Sequence, residues 1–308
     1  MTKTKQWRRF IWPYFWPVWL FFGCMWLVSK CPVRCQIAIG KTLGLMGYPF
    51  ARRRRRIAAI NLRLCFPELT EPQRRRLLRR HFAAMGAGFF EVTMGWWTPS
   101  RLLRSHVIIE GEQHLREALT KGKGVILLSA HFTPLEIGGR FLSMLCPDVH
   151  YCAMYRPHQN PLIEAMIKSN RERQFGTVVG RDDVRGIVRA LKQNKAAWYA
   201  PDQTVPISRG KFVPFFGIPA STNTATPRLA KMSGASVIPF FCLRQCGRKT
   251  YTVKLLPPMQ LDLNDPVAAM QQVHTVFEQQ IRLAPEQYFW VHRRFKKRPN
   301  NEPSLYGK

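Results

Sequence analysis

The sequence predicts an α/β fold, a mixed sheet flanked by helices, preceded by a helical N-terminus that attaches to a membrane. Three observations carry this. From residue 106 onward, short β-rich runs alternate with amphipathic stretches, the order that builds a largely parallel or mixed sheet covered by helices. Phe10 to Ser29 is a run of 20 residues without a formal charge. Among 308 residues, Lys and Arg number 48 against 18 Asp and Glu, a formal charge of +30, while 46% of residues are hydrophobic. So basic a chain needs anionic partners, yet it holds too many apolar residues for a disordered basic tail.

The apolar run comes first. It contains Trp12, Tyr14, Trp16, Trp19 and Trp26, residues suited to a membrane interface. About 20 helical residues reach roughly 30 Å, the thickness of the hydrocarbon core. Pro13 and Pro17 imply a kink or a late helix start. Lys3, Lys5, Arg8 and Arg9 resemble the leader of a secretory signal, but no small-x-small cleavage site follows the run. Lys30 before Cys31 argues against lipoprotein processing. The expectation is an uncleaved anchor over residues 1–30, either spanning or lying as a kinked hairpin in one leaflet. Arg52 to Arg56 follow as five consecutive arginines. They resist translocation, which places the body of the protein on the cytoplasmic side. Such a cluster suits anionic headgroups; a solvated helix face or a nucleic-acid patch are the other readings.

Thr70 reads as a helix cap and Gln73 as the residue closing a capping box. That helix carries Arg74, Arg75, Arg76, Arg79 and Arg80 before the apolar stretch Phe82 to Trp97. Residues 31–105 are therefore read as a basic, helical, membrane-proximal segment, and 106–308 as the catalytic domain. In the latter, apolar runs lie at Val107–Ile109, Gly124–Ala130, Val149–Tyr155, Ala196–Ala200 and Val237–Leu243. Helical stretches lie near 134–146, 161–174, 184–193, 222–233 and 267–283. The eight cysteines form no C-x-x-C pair and have no His at zinc spacing. They are read as reduced and structural, with neither metal nor cofactor expected.

The segment from Gly124 to Arg140 reads GVILLSAHFTPLEIGGR. A strand-like run ends at His131, and Pro134 suits a first helical position with Thr133 as its cap. His131 and Glu136 are five apart, about 140° out of phase on a continuous helix. They meet only if Phe132, Thr133 and Pro134 turn the chain. An imidazole at a strand end, facing a carboxylate on the next helix, is a general-base pair. The alternative makes Glu136 the closing residue of a capping box with Thr133.

Further motifs follow in order. They are Tyr155-Arg156-Pro157 with Asn160-Pro161, Pro201-Asp202-Gln203, and Phe212-Val213-Pro214-Phe215-Phe216-Gly217. Pro285-Glu286-Gln287-Tyr288 and His292-Arg293-Arg294-Phe295-Lys296 come near the end. Together with the H-x-x-x-x-E pattern, this resembles the late (secondary) acyltransferases of lipid A biosynthesis, the lauroyl, palmitoleoyl and myristoyl branch. The resemblance covers nearly the whole chain and implies a glycerolipid-acyltransferase-like fold. It also implies transfer of a fatty acyl group from acyl-acyl carrier protein. The acceptor would be the hydroxyl of a 3-hydroxyacyl chain on a Kdo-bearing lipid A precursor, at the bacterial inner membrane. His131 would deprotonate that hydroxyl, Glu136 would hold His131, and the alkoxide would attack the thioester. No G-x-S-x-G elbow supplies a serine nucleophile. Cys146 and Cys152 are alternative nucleophiles, against which stands the usual burial of cysteine.

Both implied partners are anionic, which accounts for the charge. Arg156, Arg171, Arg173 and Arg181 are candidates for phosphate or oxyanion contacts, where a guanidinium fork binds bidentately. Arg156 ranks first, on an ordered turn after a strand. Asp202 is expected to pair with one of these arginines, or to form a turn. Ser208 to Lys211 is a basic loop placed near the acyl donor. Arg293, Arg294, Lys296, Lys297 and Arg298 are read as a membrane or carrier-protein patch. Two other functions share some features: acyl transfer to a glycerophospholipid, and nucleic-acid binding, for which no module is visible.

Overall fold

The computed structural model describes residues 7–245 and 250–307. Lys3, Lys5 and Cys246 lie outside these. The seven described cysteines are all free.

The N-terminal run does not form one long helix. A single 3-10 turn at Pro13–Phe15 leads into α1 (Trp16–Val28), and Pro32 precedes α2 (Val33–Gly47). Pro13 and Pro17 delay the start, and the chain turns at Ser29 to Pro32. Gln36 stabilises that turn, its amide donating to the Ser29 and Cys31 carbonyls at 3.2 and 2.8 Å. With 13 residues, α1 is about 20 Å long, short of the roughly 30 Å a spanning helix needs. Among the described residues no helix is long and apolar enough to cross a membrane. The expected 20-residue helix over Phe10 to Ser29 is thereby corrected to a 3-10 turn and one 13-residue helix. Their outer face is apolar: Trp12, Tyr14 and Trp16 are 71%, 76% and 62% exposed.

Next come α3 (Arg52–Cys65), α4 (Glu71–Trp97) and α5 (Ser100–Arg104). The capping box at the start of α4 forms, with the Thr70 N–H donating to Gln73 Oε1 at 2.7 Å. Gly40 and Gly44 of α2 meet Gly86 of α4 backbone to backbone; a Cβ on Gly86 would sit 2.1 Å from the Gly40 carbonyl oxygen. This contact locks the N-terminal hairpin onto α4, which runs behind the sheet.

The remaining elements are β1 (Val107–Glu110), α6 (Glu112–Thr120), β2 (Val125–Leu128), α7 (Leu135–Leu145), β3 (Tyr151–Tyr155), α8 (Pro161–Phe175), β4 (Thr177–Gly180), α9 (Val184–Lys192), β5 (Ala196–Tyr199), β6 (Lys211–Phe215), β7 (Ile218–Thr222), α10 (Ala225–Ser233), β8 (Ser236–Arg244), β9 (Tyr251–Leu255) and α11 (Pro266–Leu283). Seven strands form one sheet in the order β1-β9-β8-β2-β5-β3-β4. All neighbours are parallel except β8 and β9. The sheet is therefore mixed, as the alternation implied. The central strand β2 is buried along its whole length. Its residues alternate between two cores: Ile126 and Leu128 face α9, α10 and α11, while Val125 and Leu127 face α6 and α7. Strand periodicity of two sends successive side chains to opposite faces.

The Phe212–Gly217 motif is the separate hairpin β6–β7. Phe216 and Gly217 both have positive φ, 50° and 74°, as a two-residue primed turn requires. Glu278 of α11 accepts the Phe216 N–H at 2.6 Å and holds the turn.

Candidate active site

Sheet register builds the centre of the site. Leu128 of β2 pairs with Tyr199 of β5 in a parallel ladder. The Ser129 N–H extends that ladder to the Tyr199 carbonyl at 2.9 Å. Three residues past this pair on each strand stand His131 and Asp202. Parallel neighbours thus deliver both side chains to the carboxyl edge of the sheet, where open α/β sheets place their sites. His131 Nδ1 lies 2.5 Å from Asp202 Oδ1, and the His131 backbone N–H donates to Oδ2 at 3.0 Å. The Asp202 side chain is 2% exposed and that of His131 is 34% exposed.

This corrects the expected pairing. Asp202 binds His131 rather than an arginine, and Glu136 binds an arginine rather than His131. Glu136, in the first turn of α7, accepts Arg171 Nε at 3.1 Å and Arg171 Nη2 at 2.5 Å. Trp96 Nε1 donates to the same carboxylate at 3.4 Å. The capping-box alternative for Glu136 also fails. The helix begins at Leu135 with Pro134 as its cap, and the Thr133 N–H donates to the Gln287 carbonyl at 2.7 Å. The physical reason is direction: β2 points His131 along the sheet toward its neighbour β5, while α7 turns Glu136 toward α8.

Burial and neighbouring charges set the charge states against each other. Burial disfavours the His131 imidazolium, but the Asp202 carboxylate outweighs it and holds the group above its ordinary value. Arg171 works in the opposite direction. Burial would raise the Asp202 carboxyl, but His131, through charge and two hydrogen bonds, together with the charge of Arg294, pulls it down to about 2. For Arg171, burial opposes the charge, and the Glu136 carboxylate more than restores it.

His131 opens onto a cavity of about 800 Å³. Arg156, Arg171, Arg181, Arg209 and Arg228 line it, together with Leu135, Met154, Ile167, Ile187, Leu229 and Met232. The arrangement suits a ligand with both anionic and aliphatic parts. Arg156 stands on the turn after β3, where Glu164 accepts the Tyr155 hydroxyl and the His158 N–H, each at 2.7 Å. Asn160 caps α8 through the N–H groups of Leu162 and Ile163. Arg181 is held near Asp182, Nε to Oδ2 3.4 Å. Ser208 and Arg209 of the basic loop reach the cavity. Arg228 escaped the sequence reading; as one cation on the amphipathic α10, it carries no signal of its own. Cys146 and Cys152 are buried, and burial raises both thiols to about 11, so neither presents a thiolate.

A second buried cluster backs the His131 loop. Glu91 of α4 accepts Arg244 Nε at 2.6 Å, Arg244 Nη2 at 2.8 Å and the Tyr251 hydroxyl at 2.7 Å. Arg244 Nη2 also donates to Thr133 Oγ1 at 3.2 Å. The Gln287 side chain bonds the Arg244 backbone on both sides, 2.8 Å each, and Phe289 N–H donates to the His131 carbonyl at 3.0 Å. Gly88 lets α4 close onto this loop, since a Cβ there would lie 2.8 Å from Thr133 Cβ. The signal for Glu91 was present: it is the one charge between Phe82 and Trp97. A charge inside an apolar stretch is paired when buried.

Comparison with known proteins now decides the family. Residues 3–297 match the family model described as bacterial lipid A biosynthesis acyltransferase. The chain belongs to that family. It is 37% identical over 296 residues to the lipid A biosynthesis lauroyltransferase of Escherichia coli K12, covering 96% of each chain. It is 35% identical over 300 residues to the palmitoleoyltransferase of the same organism, covering 97% of each. It is 27% identical over 303 residues to the myristoyltransferase, covering 97% of this chain and 93% of that one. The enzyme is thus a lipid A acyltransferase, an O-acyltransferase by reaction class, and the cavity beside His131 is the candidate place for its chemistry.

Proposed function

We propose that this enzyme transfers a fatty acyl group from acyl-acyl carrier protein to the hydroxyl of a 3-hydroxyacyl chain on a Kdo-bearing lipid A precursor. His131 is the general base. Asp202 fixes the imidazole with Nδ1 toward the carboxylate and stabilises the imidazolium, which leaves Nε2 for the acceptor hydroxyl. The hydroxyl loses its proton to Nε2, and the oxygen attacks the thioester carbonyl. The tetrahedral oxyanion then collapses and expels the carrier's thiolate, which is reprotonated. Arg171, clamped by Glu136, stands in the cavity wall where a cation favours the oxyanion or a substrate phosphate. Arg156 and Arg181 serve the anionic groups of the acceptor, and the aliphatic wall takes acyl chains. The observation that carries this reading is the His131–Asp202 pair at the wall of a cavity both cationic and aliphatic.

Membrane attachment belongs to the same proposal. The exposed aromatic face of α1, the basic residues Arg8 and Arg9, and Arg52–Arg56 supply an apolar surface and a cationic one, the two signals of stable interfacial binding. The short helices favour lying in the plane of the inner membrane over crossing it. Residues 1–30 and 31–105 would serve attachment, and 106–308 the chemistry on the cytoplasmic side.

The test supplies purified enzyme with acyl-acyl carrier protein and, side by side, the lipid A precursor and lysophosphatidate, with products read by mass spectrometry. Acylation of the lipid A precursor, lost in His131→Ala, is the expected result. Acylation of lysophosphatidate alone would move the enzyme to glycerophospholipids.

A further inference from the structure

The Pro285-Glu286-Gln287-Tyr288 motif does not line the cavity, yet each of its backbone carbonyls is engaged. It forms a 3-10 turn at Pro285–Gln287, directly after α11. The Pro285 carbonyl accepts Trp290 Nε1 at 2.7 Å, and the Tyr288 carbonyl accepts the Trp290 N–H at 2.9 Å. The Glu286 carbonyl meets His81 Nδ1 of α4 at 3.0 Å. A carbonyl only accepts, so the His81 proton is on Nδ1. The Gln287 carbonyl takes the Thr133 N–H, and that bond leads to the site.

His131 has two backbone polar groups, and both are taken. Its N–H donates to Asp202 Oδ2 at 3.0 Å, and its carbonyl accepts the Phe289 N–H at 3.0 Å. With the Thr133 N–H on the Gln287 carbonyl at 2.7 Å, this frames an isolated antiparallel bridge of Phe132 opposite Tyr288. The two rings meet edge to face, 5.9 Å apart, as side chains do at such a non-hydrogen-bonded pair. A bridge of two hydrogen bonds is too short to hold its own register. The Gln287 side chain supplies the anchor. The residue is 3% exposed; Oε1 accepts the Arg244 N–H and Nε2 donates to the Arg244 carbonyl, each at 2.8 Å. Arg244 ends β8, the sheet neighbour of β2, and β2 leads into His131. One residue thus holds the His131 loop by its main chain and the sheet by its side chain. The Glu91–Arg244 ion pair is separate, because it reaches the loop only through the guanidinium on Thr133 Oγ1.

We propose that Gln287 is a positioning residue that fixes the backbone of His131 and, through it, the contact between the imidazole and Asp202. This rests on the general-base reading of His131. A primary amide suits the task, since it accepts and donates at once, the two functions that the Arg244 N–H and carbonyl require. Methionine has the length and neither function. Asparagine has both functions and falls one methylene short.

The test is the kinetics of the full-length Gln287→Met enzyme in detergent, with acyl-acyl carrier protein and the lipid A precursor. With the base misplaced, kcat should fall by about 10-fold or more, up to the roughly 10²-fold that a 1 Å displacement costs, while KM stays within about twofold. The deciding readout is the acid limb of kcat/KM. Gln287 is uncharged, so its loss reaches the titration of His131 only by moving the ring relative to Asp202 and Arg171, the charges that act on it. Asp202 raises His131, so a loosened contact lowers that pKa, and the limb should move to lower pH by up to about one unit. A purely structural glutamine would lower thermal stability, and with it the amount of active enzyme, without moving the limb; an unmoved limb therefore overturns the proposal whatever happens to kcat. Hydrogen exchange gives a second reading. The Thr133 and Phe289 amides should exchange at least about 10-fold faster in Gln287→Met, with the amides of β2 unchanged; equal acceleration in both marks a general loss of stability and overturns the proposal. If Gln287→Met does not fold, Gln287→Asn replaces it. His131→Ala separates the two levels. Wild-type turnover in that variant removes the general base itself, whereas an inactive His131→Ala with an unmoved limb in Gln287→Met removes only the role of Gln287.

Discussion

The two sides of the His131 loop use the same chemistry to opposite ends. On the cavity side, Asp202 holds one nitrogen of an imidazole, and Glu136 holds an arginine that still lines open space. Behind the loop, Glu91 takes two bonds from Arg244 and one from Tyr251, and both side chains of the ion pair are nearly sealed, 6% and 1% exposed. Each side pairs a carboxylate with a cation. The difference is what remains unspent: the front leaves a base and cations facing a ligand-sized cavity, while the back closes its bonds on the loop itself. Reactivity and rigidity here depend on whether a pair is completed by protein or left for substrate.

Five variants sharpen or break that contrast. The largest effect is expected at the front. His131→Ala should lower kcat by about 10²–10⁴, the usual worth of general-base catalysis, with acceptor binding little changed by direct titration. Asp202→Asn should fall in the same range, and the double variant should be barely worse than either, because the pair acts as one unit. The same Asp202→Asn variant has a signed pH effect. The carboxylate raises His131, so its removal lowers that pKa and shifts the acid limb of kcat/KM down. An upward shift would mean that another group titrates.

The next effect belongs to the back. Glu91→Ala leaves Arg244 buried without its anion, a loss of about 3–5 kcal/mol where one partner of a buried pair is removed. Thermal unfolding should show it, whereas the acid limb of any residual activity stays where it was. Arg171→Gln is smaller and opposite in character: it removes a charge that depresses His131, so the acid limb rises by on the order of one pH unit. Equal pH profiles for Arg171→Gln and wild type would take Arg171 out of the site. The smallest effect is expected at Arg116, whose exposed guanidinium pairs with Glu112 and Asp148 on the far surface. Arg116→Ala should leave turnover at the wild-type level, since water and salt screen such pairs.

Much of this protein was legible in its residues. The five helices expected between 134 and 283 form within a few positions of where their periodicity and prolines placed them, because amphipathic spacing and Pro or Asn starts are local properties. The capping box at Thr70 is local too. His131 stood out as the end of an apolar strand. Its partner did not, because 71 residues separate it from Asp202, and only the β2–β5 register brings the two together. Glu136 is the nearest acid to His131 along the chain, yet a helix turning the other way gives that acid to Arg171. The N-terminal run was apolar enough to be seen, but its length as a helix was decided by Pro13, Pro17 and the turn at Ser29. The C-terminal basic cluster read as surface, since charge in a sequence says nothing of depth. Local order, composition and family came from the chain itself. Which carboxylate meets which cation, and that Arg294 lies buried against the β6–β7 hairpin, were settled only when segments far apart in sequence lay side by side.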